Sequence, residues 1–91
     1  MIKIYFDNAA VFFEFEGVWL GTLLYIGNNK FYLKYKADEG AEDNILFVSY
    51  NYIDAILYSL IIIGRRNERL KRVCEITAQM LTKGGEIYRK D

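Results

Sequence analysis

The run Val18–Lys36, Val-Trp-Leu-Gly-Thr-Leu-Leu-Tyr-Ile-Gly-Asn-Asn-Lys-Phe-Tyr-Leu-Lys-Tyr-Lys, decides the fold. It reads as two strands joined by a tight turn at Gly27-Asn28-Asn29, because Gly and Asn accept the positive φ that short hairpin turns need. The second strand alternates. Phe31, Leu33 and Tyr35 point one way, and Lys30, Tyr32, Lys34 and Lys36 the other. This is the pattern of a half-buried antiparallel strand with one wet face. The first strand does not alternate: Val18, Leu20, Leu24 and Ile26 fall on one face, Trp19, Leu23 and Tyr25 on the other. A strand apolar on both faces is expected to be covered on both.

Working outward, Ile2, Ile4 and Phe6 alternate with Lys3, Tyr5 and Asp7, and Asp7-Asn8 makes a two-residue turn. Ala9–Phe15 is a second strand, with Val11, Phe13 and Phe15 on one face. Glu16-Gly17 is a turn or sharp bend before the central hairpin. Ala37–Asn44 carries four carboxylates and a glycine, the mark of a solvated loop. Ile45–Tyr50 is a fifth strand, apolar on both faces. The next segment, Ile53–Ile63, is ambiguous. Its β-branched content favours a sixth strand over about Ala55–Ile63, while Asp54-Ala55-Ile56-Leu57 would also open a short helix.

After Gly64, Asn67 is placed to cap a helix. Leu70, Val73, Cys74, Thr77, Met80 and Leu81 then recur at helical spacing. Gly84-Gly85 ends this element, and Glu86–Asp91 is a tail with a short edge strand through Ile87 and Tyr88 as an option. The expected fold is α+β and mainly β. It is one domain over 1–91: a small bent antiparallel sheet or SH3/Sm-like barrel of five or six strands (1–63), one C-terminal amphipathic helix (67–83) and the tail (84–91).

Ninety-one residues bury a core only marginally, so a partner subunit would help. A hydrophobic content of 53% excludes a disordered chain. The net charge is zero but divided: residues 1–63 set four lysines against eight carboxylates, and residues 64–91 set eight basic residues against four acidic ones. Histidine and proline are absent and Cys74 is the one cysteine. That leaves no internal disulfide, no Cys/His metal framework and no histidine base beside the thiol. The start of the chain alternates and turns acidic, unlike a signal peptide. Its longest uninterrupted apolar run, Leu60–Ile63, is far too short to cross a bilayer. A cytoplasmic, non-enzymatic protein with no cofactor, no metal and no membrane partner is the expectation.

Three groups of residues are candidate sites. Arg65, Arg66, Arg69 and Arg72 form a basic cluster able to grip phosphates, or else to meet the acidic loop at Asp38, Glu39, Glu42 and Asp43 within one subunit or between two. Lys34, Lys36 and Tyr32, with Lys30, alternate cations with a ring, as single-strand binders do; lysines on an outer strand face also protect a sheet edge. Trp19, Tyr50, Tyr52 and Tyr58 exceed what a core of this size needs and are candidate interface residues.

Gly21-Thr-Leu23-Leu-Tyr-Ile26-Gly-Asn-Asn-Lys-Phe31-Tyr-Leu33, followed by Phe47-Val48-Ser-Tyr-Asn51-Tyr-Ile53-Asp-Ala-Ile56, resembles the two-part pattern of Sm-like small β-barrel proteins. The resemblance covers about residues 15–60 and implies a bent barrel that binds RNA. The family's aspartate falls on Gly27 here, and its Arg-Gly or Lys-His pair is replaced by Ser49-Tyr50, so its RNA-contacting positions do not carry over. A pleckstrin-like barrel is a rival with too few strands available before Asn67. The Ile-, Tyr- and Lys-rich composition is similar to that of small proteins of thermophilic archaea and their viruses. Two functions follow as expectations: a nucleic-acid-binding (RNA or DNA) module, or a homo-oligomeric protein-interaction or structural subunit.

Overall fold

A computed structural model describes residues 1–84 and 88–89 of the chain. The fold is α+β and mainly β. The strands are β1 (Lys3–Asp7), β2 (Ala10–Phe15), β3 (Val18–Gly27), β4 (Lys30–Lys36), β5 (Glu42–Val48) and β6 (Tyr88–Arg89). They form one sheet in the order β5-β4-β3-β2-β1-β6. The first five are mutually antiparallel, and β6 pairs parallel with β1. Among the described residues the sheet is open, with β5 and β6 at its edges, rather than closed into a barrel. Ile87 and Gly85 lie outside the described residues.

Local chemistry sets the hairpins. Glu16 and Gly17 both take positive φ (51° and 78°), as do Asn28 and Asn29 (53° and 59°). This is the mirror-image turn whose twist matches paired strands. The first turn falls at Asn8-Ala9, one residue beyond the expected pair, because Asp7 pairs with Ala10.

The two-faced reading of β3 is corrected by a bulge. Trp19 pairs with Glu14 and Gly21 with Phe13, which leaves Leu20 as the extra residue. Leu20 is buried beside Gly21 and Leu23, while Trp19, Thr22 and Leu24 fall on the other face. So β3 needs cover on one side only. The core lies on that side, where Ile4, Val11, Phe13, Leu23, Phe31 and Leu33 meet the helices.

Two helices cover that face, where one was expected. Residues 55–63 are not a strand: they belong to α1 (Tyr52–Arg65). Asn51 accepts from the Asp54 N–H at 2.8 Å and caps it. Ala55, Ile56, Ser59, Leu60 and Ile63 are buried at helical spacing, and the Ser59 hydroxyl donates to the Ala55 carbonyl. Helix α2 (Lys71–Thr82) begins after a 3-10 turn over Glu68–Leu70, not at Asn67. Its stripe lies on the expected side. Cys74 and Thr77 are buried, Leu70, Val73 and Leu81 half-buried, and Met80 is exposed. The helices come close at Gly64, where a Cβ would stand 3.2 Å from that of Cys74. Thr77 accepts from the Ile2 N–H at 3.1 Å, tying α2 to the start of the sheet.

Candidate functional site

The basic cluster is divided among several elements. The break at Asn67 puts Arg65 on α1, Arg69 in the 3-10 turn and Arg72 on α2. Arg66 turns toward β5 at the surface. It donates to Asp43 at 2.7 Å and lies over the Tyr35 ring, with Tyr35 Oη 3.4 Å from the same carboxylate. The Asp43 carboxyl is held below the usual carboxylate range by the Asn44 N–H and by Arg66. Arg72 pairs with Glu75 at 3.5 Å. Arg65 lines the shallow groove between the helices, and Arg69 lines a depression shared with Glu16, Lys36 and Asp38.

The acidic segment is not one loop either. Asp43 and Glu42 belong to β5, where Glu42 meets Lys34 at 3.2 Å. The pairing of the basic residues with this segment, weighed from the sequence, is thus made within the subunit at Asp43–Arg66. Both ion pairs are half-exposed and worth little in stability.

The face of the sheet opposite the helices carries the other candidates. Successive rows run across it by strand register: Tyr5–Phe12–Thr22–Lys34–Asn44, then Ala10–Leu24–Tyr32–Leu46, then Lys30–Val48. Trp19, Tyr32 and Lys34 are brought together in one shallow depression of about 420 Å³ with Thr22, Leu24 and Glu42. Trp19 Nε1 donates to Thr22 at 2.8 Å. The Tyr5 and Phe12 rings stack at 5.4 Å. Tyr5 donates to Glu14, which pushes its phenol up to about 12. Lys36 pairs with Glu42 in the sheet, and its carbonyl accepts from Asn67 Nδ2 at 2.6 Å.

Of the remaining candidate interface tyrosines, Tyr50 stands clear of the fold at 90% exposure. Tyr52 turns inward against Phe6, Tyr25 and Phe31. Tyr58 packs on Phe47 of β5 at 4.7 Å.

The sequence reading missed Leu46 and Val48. They are 64% and 72% exposed on β5, with Ile45 and Phe47 half-buried on the helix side. The Ser49 N–H donates to the Asn29 carbonyl at 2.9 Å, so by strand alternation the N–H and C=O of Asn44, Leu46 and Val48 point out of the sheet. The sequence carries little signal for this: Leu46 and Val48 alternate with Ile45 and Phe47, so both faces of the strand read as apolar.

Cys74 is 2% exposed, and burial pushes its thiol up to about 11, which leaves it a core residue. Among the described residues, no group of three or more His, Cys, Asp or Glu side chains is placed to hold a metal ion. Nor is any described helix long and apolar enough to cross a membrane.

No protein-family model, curated protein or solved structure matches the chain.

Proposed function

We propose that this chain is a non-enzymatic, self-associating interaction subunit that works through the β5 edge. The observation that carries the reading is the edge itself. Soluble proteins blunt exposed edges with Lys, Pro, bulges or a covering segment. From Ile45 to Val48 this edge has none of these on its own strand, and it presents Leu46 and Val48 to solvent. Strand addition to such an edge supplies backbone hydrogen bonds and covers apolar side chains together.

The expected solution mass at micromolar concentration is that of more than one chain. Leu46→Pro should reduce it to one chain with the melting temperature nearly kept, because the N–H it removes points out of the sheet. A wild-type mass of one chain, by light scattering, overturns the reading.

A second reading is supported by the depression at Trp19, Tyr32 and Lys34. There the open face would stack the bases of a short single-stranded RNA or DNA while Lys30, Lys34 and Lys36 hold its backbone. It expects binding of a labelled oligonucleotide that weakens steeply with salt. It also expects a loss of about 1–3 kcal/mol in Tyr32→Ala. Unchanged binding in that variant, or none in the wild type at low salt, rules it out. Arg65, Arg69 and Arg72 belong to the helical elements across the sheet from this face and have no part in this reading.

A further inference from the structure

We infer that the partner at the β5 edge is a second copy of this chain, paired antiparallel through β5 with Leu46 on the two-fold axis. The inference rests on the self-association reading and adds the partner and the register.

The strand is complementary to itself in one register above the others. A two-fold axis through the sheet requires open-face residues to oppose open-face residues, since a slip of one residue sets every side chain against the wrong face. Even-numbered residues of β5 occupy the open face and also carry the outward backbone groups. Centring the pair on Leu46 therefore satisfies both demands. Leu46 opposes Leu46 of the second copy and Asn44 opposes Val48, with about six new backbone hydrogen bonds by the antiparallel pattern.

The side chains then agree on both faces. On the open face the row Leu24–Tyr32–Leu46 continues into its own mirror, Leu46–Tyr32–Leu24, across the axis. On the helix side, Ile45 opposes Phe47. The rows Phe31–Phe47 and Leu33–Ile45, buried on β4 and half-buried on β5, run on into each other. Tyr58, which leans on Phe47 from α1, would lie over that join.

The neighbouring registers are worse. Centring on Ile45 sets Asp43, already engaged by Arg66, opposite Phe47, and sets Asn44 opposite Leu46. Centring on Phe47 leaves Ile45 opposite Ser49 and pairs only Leu46–Val48 before β5 ends. The Leu46-centred register is the longest that keeps the carboxylate off an apolar partner. It also holds the acidic starts of the two strands at opposite ends of the interface, so like charges never meet. Interfaces of this isologous kind close after two copies.

Cysteine scanning tests the register. The Leu46 Cα atoms would be about 5.5 Å apart, inside disulfide range, and the Val48 Cα atoms about 14–15 Å apart, well outside it. Leu46→Cys should therefore oxidise to a covalent dimer and Val48→Cys should not. An equimolar mixture of Asn44→Cys and Val48→Cys should give the mixed dimer. All three positions are exposed, so the variants keep the fold. Cys74 is buried and should not compete. Efficient cross-linking of Val48→Cys alone, or a self-associating wild type whose Leu46→Cys variant stays reduced, overturns the register and leaves the self-association reading standing. A wild-type mass of one chain overturns both.

Discussion

Ile63→Asp should leave the chain largely unfolded at room temperature, while Ile61→Asp should leave it folded. Ile63 is fully buried at the end of α1, its Cδ1 close to the backbone of Gly21 on β3. Two residues earlier, Ile61 is 47% exposed on the outer side of the same helix. Losing the buried isoleucine costs about 2–5 kcal/mol in lost contacts and cavity. A carboxyl without a partner in that space adds about 1–3 kcal/mol or more, even if it neutralises itself by taking a proton. A domain of this length has about 5–14 kcal/mol in all, so the sum is most or all of its stability. Ile61→Asp loses only part of an exposed side chain and should stay within about 1 kcal/mol. Far-UV circular dichroism and urea titration of the two variants would decide it. On a strand, residues 61 and 63 share a face and the two substitutions would do similar damage. Equal effects would return the segment to the sheet.

The pair also locates where the sequence was legible. Strands β1, β2 and β4 show in the alternation of Ile2/Ile4/Phe6, Val11/Phe13/Phe15 and Phe31/Leu33/Tyr35, because each has one polar face to contrast with its core face. The same contrast reveals α2 through Cys74 and Thr77. It fails for α1, whose outer side carries Ile53, Tyr58 and Ile61, all exposed, and so erases the polar half of the helical pattern. Five isoleucines then tip a local reading to strand, although burial at 55, 56, 59, 60 and 63 under the sheet selects helix. In β3 the bulge at Leu20 shifts the period by one, and no local signal distinguishes that from a strand covered twice. The candidate site suffered in the same way. The arginines look contiguous in sequence but are separated by the chain reversal at Asn67, and Asp43 reaches Arg66 only through the β4–β5 pairing. A strand apolar on both faces, as β5 reads, gives no sign of which face stays outside. Leu46 and Val48 are the most exposed of the large apolar residues on the sheet.

Asn67→Asp should be more damaging than Asn67→Leu, the reverse of what a helix cap would give. Asn67 is 7% exposed and follows α1 with no capping bond of its own to the turn after it. Its Nδ2 donates to the Lys36 carbonyl at 2.6 Å and to the Ile63 carbonyl at 2.9 Å, joining the end of β4 to the end of α1. Leucine keeps the volume and loses both donors. The Ile63 carbonyl retains the Arg66 N–H at 3.3 Å, whereas the Lys36 carbonyl loses this donor. An unmet buried carbonyl and two lost bonds come to about 2–4 kcal/mol. At about 4–8 °C per kcal/mol, the melting point should fall by roughly 8–30 °C. Aspartate replaces the amide nitrogen with a charged oxygen facing two carbonyls, so repulsion and desolvation are added to the same losses. At an N-cap the order would be inverted, because Asp serves there as well as Asn and Leu is the poor substitute. Thermal melts of both variants near neutral pH therefore tell the two roles apart by sign. An Asp variant as stable as wild type would mean that the residue caps the following turn and that something else holds the sheet to the helices.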